Sequence, residues 1–279
     1  MRLSRSRRTL PGFSLTLGIT LGYLGVIVLL PLAALLWRAA GLSAAEFVAA
    51  VASPRALATY QVTLTSALQA VAFNGVAGLL FAWVLARYDF PGRRLLDAVM
   101  DIPFALPTAV AGVALSAALS ATGWFGPFLS AMGWTVVNAQ AGIAVAMAFT
   151  SLPFVVRTVQ PVLEDLDADA EEAAGLLGAG RWQVFRHVIA PVVAPAVLAG
   201  MTLAFARCLG EFGAIIFIAG NRPMKTEITS LLIYIRLEEY NYPAATAIAV
   251  VILLSALVVM LLANAIQAWQ HRYLDKEGV

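Results

Sequence analysis

Charge is scarce in this sequence: Asp, Glu, Lys and Arg make up 12% of 279 residues, against roughly 25% in a soluble domain. The net charge of +2 is small and its basic residues are scattered, so nothing points to a nucleic-acid partner. There is one cysteine, Cys208, so no internal disulfide forms and no thiolate cluster holds a metal. His187 and His271 are the only histidines, too few for a metal site of their own. Lysine occurs twice, at Lys225 after Met224 and at Lys276 after Asp275. Neither stands in the Gly-Lys-Ser or Gly-Lys-Thr context that puts a lysine on nucleotide phosphates, so the chain has no P-loop of its own.

Apolar residues fill the space that charge leaves: 61% of the chain, with a mean hydropathy of +0.85. A surplus of that size has to face lipid. About 20 apolar residues cross a bilayer core, and six stretches qualify: 15–37, 61–86, 102–121, 139–159, 192–219 and 244–269. The expected fold class is an all-α membrane protein with six transmembrane helices, a single domain over 15–270 between a basic head (1–14) and a short tail (271–279). The head places Arg2, Arg5, Arg7 and Arg8 before the first apolar run, as a secretory signal does. The run is longer than a cleavable signal's 7–15 residues and predicts a retained helix, although the small residues Ser43-Ala44-Ala45 lie downstream.

Lys and Arg in the loops set the orientation. With the N-terminus in the cytoplasm, that side holds the four head arginines, Arg87, Arg93, Arg94, Arg157, Arg181, Arg186, Arg272 and Lys276. The opposite side holds Arg38, Arg55, Arg222, Lys225 and Arg236. Both termini are therefore expected in the cytoplasm, and the uncharged loop from Thr122 to Asn138 outside. Asp101 and Arg157 fall at predicted helix ends. Only Arg207 and Glu211 fall well inside a span, and their spacing of four lets them pair on one helix face. They read either as a self-satisfied pair at a helix contact or as a gate or pathway element.

The cytoplasmic connection from Gln160 to Pro191 is the longest. Leu163, Leu166, Ala170, Ala173 or Ala174, and Leu177 share a helical stripe, and the other face is acidic. Gly178 and Gly180 break that helix. A second short helix is expected beyond them, with Trp182, Phe185, Val188 and Ile189 on one face, before Pro191 and Pro195 open the next span. Two short helices at a glycine joint make a knob, and Ala173, Ala174 and Gly178 let another surface come close to its backbone. On the outer side, Ile228, Leu231, Leu232 and Ile235 form a stripe, with Glu227, Arg236, Glu238 and Glu239 mostly off it. That segment reads as an interfacial or vestibule helix, or as a contact for a soluble binding protein.

The order Glu172-Ala173-Ala174, three residues, Gly178, nine residues, Val188, one residue, Ala190-Pro191 resembles the EAA loop of ABC importer permeases. Val188 and Ala190 replace that pattern's Ile and Leu. The resemblance implies the type I importer permease (MetI-like) fold in a bacterial inner membrane, with coupling helices that enter a cleft on separate ATPase subunits. ATP and Mg would be bound there, and this chain would carry no cofactor. The segment Arg207-Cys208-Leu209-Gly210-Glu211-Phe212-Gly213-Ala214 resembles permeases for sulfate, molybdate and tungstate. From there to Ala247 the chain is similar to T-type permease subunits of sulfate/thiosulfate importers, most strongly over about 151–270. This implies a W-type second permease and a periplasmic sulfate-binding protein as partners. Molybdate or tungstate is the alternative cargo, because all three are tetrahedral dianions. An ion-coupled secondary carrier would rest on Glu211 alone and leaves the loop spacing without a cause. An intramembrane protease lacks a histidine or aspartate deep in a span.

Overall fold

The computed structural model describes residues 13–274, apart from the side chains of residues 14, 263 and 266–274. The basic head up to residue 12 and the end of the tail from 275 lie outside the described residues. Helices account for nearly all of the described chain, and no strand occurs among the described residues. Five helices are long and apolar enough to cross a membrane: α1 (Leu15–Ala40), α2 (Pro54–Arg87), α5 (Gln140–Glu164), α7 (Arg181–Leu209) and α9 (Tyr242–Leu274). Two shorter pieces, α3 (Arg93–Ala105) and α4 (Thr108–Leu119), meet at 114° and make a sixth crossing if counted as one broken span. The loop helices α6 (Ala168–Leu176) and α8 (Thr229–Glu238) complete the set used below.

The core is a triplet in which α5 packs between α2 and α7, while α9 packs on α7 and α8. Lipid offers no hydrophobic drive for helices to associate, so close backbone approach and polar contacts matter more than in water. Both devices are present. A methyl group on Gly78 would stand 2.7 Å from the Cβ of Val155, and one on Gly200 2.8 Å from its Cα. Two helices thus press on the same fully buried valine. Near it, the Asn74 side-chain amide donates to Ser151 Oγ (2.9 Å) and to the Ala148 carbonyl (3.0 Å), and Cys208 Sγ approaches Ser151 Oγ at 3.3 Å. Asn74, Ser151 and Cys208 come one each from α2, α5 and α7. In α1, by contrast, only the stretch Leu30–Ala40 packs on α9, and its apolar side chains are largely exposed on this chain. After α1, Ser43 caps the helix Ala44–Val51 in a reciprocal bond with Glu46, whose carboxyl it holds below the usual range.

Four expectations about the helices need correction. The third predicted span, 102–121, is not one helix: Pro107 forces Leu106 into an extended backbone (ψ 132°), and the chain turns there. The fifth predicted span ends at Leu209 rather than 219, because Glu211 Oε1 accepts from the Ala214 N–H (3.0 Å) and holds the chain in a non-helical turn. The second short loop helix and the following span are one continuous helix, α7. A wide turn at Phe185–Ile189, in which the Ala190 N–H reaches back to the Phe185 carbonyl, makes room for Pro191. The same arrangement precedes Pro31, where the Leu30 N–H bonds to the Gly25 carbonyl. Finally, the stripe from Leu163 to Leu177 belongs to two helices. Leu163 is buried in α5, the chain breaks at Asp165–Asp167, and the Asp167 carboxylate caps α6 by accepting from the Asp169 N–H (3.0 Å).

Candidate functional site

The loop knob forms around the end of α6. Gly178 sits at φ +85°, its N–H bonds to the Gly175 carbonyl and the Ala179 N–H to the Ala174 carbonyl, both at 3.0 Å. This pair of bonds closes a helix with a left-handed residue, a position glycine takes without strain. The Gly180 N–H then donates to Gln183 Oε1 (2.7 Å), which starts α7. Glu172, Ala173, Gly178 and Pro191 are exposed, and Ala174 and Val188 are half-buried. A cleft of about 380 Å³ lies at the joint, lined in part by Ala174, Leu177, Gly178, His187 and Val188.

Leu176 and Leu177 are 90% and 89% exposed, and Trp182, at the start of α7, is also exposed and stacks on Phe185 at 5.5 Å. Leu177 therefore does not belong to an inward stripe, as its spacing suggested. Large apolar side chains left in the open on one loop are of the kind that marks an interaction surface. Sequence reasoning missed their role because period counting assigns every apolar residue to the inside.

It also missed the strap that holds the knob. Arg87, the last residue of α2, donates to Glu171 of α6 at 2.5 Å and lies over the Trp83 ring, which meets Phe185 edge-on. Glu171 stands beside the motif residue Glu172, but nothing in the spacing names Arg87 as its partner across 84 positions. A second charged group braces the same end of the molecule. Arg157 is not at a helix end: it lies inside α5 and bonds Asp101 (2.7 and 2.8 Å) and Asp97 (2.5 Å), tying α3 to α5.

Arg207 and Glu211 do come together, at 2.7 Å. They do not share one helix face, because Glu211 lies beyond the end of α7. Glu211 is fully buried and Arg207 is 30% exposed. The carboxylate has two anchors, the Ala214 N–H to Oε1 and the short but poorly aligned Arg207 contact to Oε2, and Ser230 Oγ donates to the backbone carbonyl of Glu211 (2.7 Å). Gly213 and Gly112 let this turn lie directly on α4, where any side chain would overlap Thr108 or the Ala214 backbone. The turn after α7, which carries Glu211, thus packs on α4.

The four charged residues expected to meet a binding protein divide into two groups. Arg236 pairs with Glu239 (2.6 Å), and Glu238 is exposed, so these three remain on the surface. Glu227 does not: its carboxylate is fully buried in a two-pronged pair with Arg55 (2.6 and 2.8 Å). The expectation of a binding-protein contact at Glu227 is corrected accordingly. Its position just before α8, with Thr229 bonded to Thr63, makes it a bolt between α8 and α2.

Residues 75–276 match the family model described as binding-protein-dependent transport system inner membrane component. The chain is 56% identical over 263 residues, 94% of its length and 95% of the other protein's, to the sulfate transport system permease protein CysT of Escherichia coli. It is 48% identical over 92% of its length, and 90% of that protein's, to a probable sulfate transport system permease protein cysT of Nephroselmis olivacea. Among solved structures, a bacterial ABC transporter involved in the import of alginate aligns with a TM-score of 0.73 at 19% identity, covering 92% of this chain and 94% of that one. The inward-facing MetNI methionine ABC transporter aligns with a TM-score of 0.57 at 18% identity, covering 82% and 99%. At such identities the structural likeness speaks for the fold alone.

Proposed function

The chain belongs to the family of binding-protein-dependent transport system inner membrane components, and from that premise we propose that it is the permease subunit that carries sulfate, and thiosulfate with it, across a bacterial inner membrane on energy from a separate ATPase. The observation that carries the substrate is the 56% identity to a sulfate permease over nearly the whole of both chains. The ATPase is proposed to dock at the knob, with Glu172, Ala173, Ala174, Gly178, Val188 and Pro191 at or beside the contact and Leu176, Leu177 and Trp182 as its apolar anchors. The scarcity of lysine supports a motor on another chain, which would bind ATP and Mg. Both termini are proposed to lie in the cytoplasm, on the strength of the arginine bias. A second, W-type permease and a periplasmic sulfate-binding protein complete the proposed assembly, the latter meeting the outer surface that carries Arg236, Glu238 and Glu239.

The chemistry of the cargo fits the charge pattern. Removing water from a dianion in a low dielectric is very costly, yet a fixed, unbalanced cation in the path would hold sulfate too long for conduction. Arg207, partly exposed and balanced by a buried Glu211, offers a weak positive site. Selectivity then rests with the binding protein, which delivers one ligand at a time. The test is uptake of radiolabelled sulfate by the purified assembly in proteoliposomes. ATP-dependent uptake that needs the binding protein is expected. Uptake that runs on an ion gradient without ATP would sink the reading, and preferential uptake of molybdate would reassign the cargo.

A further inference from the structure

The loop between α4 and α5, residues 120–138, holds no charge, and nor does any position from 102 to 156. It is nevertheless tightly ordered by its own backbone: the Gly123 N–H bonds to the Ser120 carbonyl (2.8 Å), Phe125 to Ala118 (3.0 Å) and Trp134 to Leu129 (2.9 Å). Gly133, at φ +72°, closes the short helix Gly126–Ala131. Its far end is pinned where the Asn138 N–H meets the Ile218 carbonyl (2.8 Å). On this frame Trp124 (92% exposed), Phe125, Phe128 and Trp134 are left exposed by the described residues.

The depth of the loop can be read from the helices beside it. At its exit, Gln140 donates to Thr65 of α2 (2.6 Å), which sets the two residues level. From Thr65 to Arg87, α2 rises about 33 Å, and from Gln140 to Arg157, α5 rises about 26 Å, at 1.5 Å per residue. Arg87 and Arg157 both sit in charged clusters at the inner end. A hydrocarbon core of about 30 Å that begins at those clusters ends at the level of Thr65 and Gln140. The aromatic loop therefore lies at the outer boundary, while Arg55, further along α2 than Thr65, stands beyond it. The exposed Val110 and Val113 of α4 continue the apolar surface downward from the loop.

We propose that residues 120–138 form an anchor in the outer leaflet: Trp124, Phe125, Phe128 and Trp134 seat at the boundary between phospholipid headgroups and acyl chains and fix the height of α4 and α5 in the bilayer. Aromatic rings with one polar edge collect at that depth, and a loop without charge loses nothing by entering it. The proposal rests on the membrane-spanning topology and not on the cargo, so failure of sulfate uptake leaves it standing.

The experiment uses the assembled transporter in phosphatidylcholine nanodiscs. Wild type is compared with a Trp124→Phe/Trp134→Phe variant, so that the difference in emission belongs to these two residues. Lipids brominated near the headgroup are expected to quench this difference at least twofold more than lipids brominated near the chain ends, and aqueous iodide to leave it unchanged. Equal or stronger quenching by the deep bromines, quenching by iodide, or protection from both would each overturn the assignment; protection would point to a protein partner instead. Single Trp124→Phe and Trp134→Phe variants repeat the measurement should the double change disturb folding.

Discussion

Replacing Gly178 separates two effects that are usually confounded at a glycine. The residue has φ +85°, and a Cβ built on it meets nothing within 4 Å. Any L side chain there carries the same backbone strain, roughly 1–2 kcal/mol, and its Cβ stands in open space. Alanine and tryptophan should therefore lower the stability of the permease by similar amounts, well inside the roughly 5–15 kcal/mol that holds a folded protein together. If the knob seats in a cleft on the ATPase, the indole must also be accommodated at the contact. Overpacking of that kind costs about 1–3 kcal/mol or more, which weakens ATPase binding roughly 5- to 150-fold beyond the alanine variant. The assay is co-elution of the ATPase with tagged Gly178→Ala and Gly178→Trp permeases at equal membrane abundance, together with ATP-driven sulfate uptake. Gly178→Ala should retain most of the uptake and Gly178→Trp little. Equal behaviour of the two would refute docking at this residue, because strain alone would then explain the loss.

Two further perturbations test the polar pairs. Arg55→Met strands the buried Glu227 carboxylate and should cost about 3–5 kcal/mol, whereas Glu227→Gln leaves a guanidinium that is 29% exposed to water and should cost about 1 kcal/mol. Thermal melting of the solubilised assembly should rank them in that order, with the Arg55→Met/Glu227→Leu double variant more stable than Arg55→Met; the opposite ranking would discredit the buried bolt. At the other pair, Glu211→Gln keeps an acceptor for the Ala214 N–H but leaves Arg207 without its counter-charge. Sulfate should then be held more tightly and released more slowly, with kcat and apparent KM both falling about tenfold, the equivalent of about 1.4 kcal/mol, while membrane abundance is unchanged. Wild-type uptake by that variant rules out a pathway role for the pair.

Hydropathy located the helices well, because lipid exposure leaves a compositional mark on every span. It could not show that 102–121 bends at Leu106–Pro107 or that the helix from Arg181 ends at Leu209. The first outcome depends on the conformation Pro107 imposes on its neighbour, the second on one carboxylate choosing a backbone N–H over water. Pro191 misled in the opposite direction: it looks like a helix start, but a single widened turn carries the helix through it. The glycine joint at Gly178 was readable because left-handed backbone has few other tenants. Glu227 was misplaced for a simple reason. Helical periodicity says which face a charge occupies and nothing of what faces it, and Arg55 lies 172 positions away.

The Arg87–Glu171 strap changes how a load on the knob is distributed. A push there passes into α7 along the backbone and, through the strap, into the foot of α2. These two helices both press on α5 at one valine, Val155. The three are thereby fastened at the foot and at mid-height. A force applied at the knob would therefore reach three helices joined at two levels, and would tilt them together sooner than slide one past another.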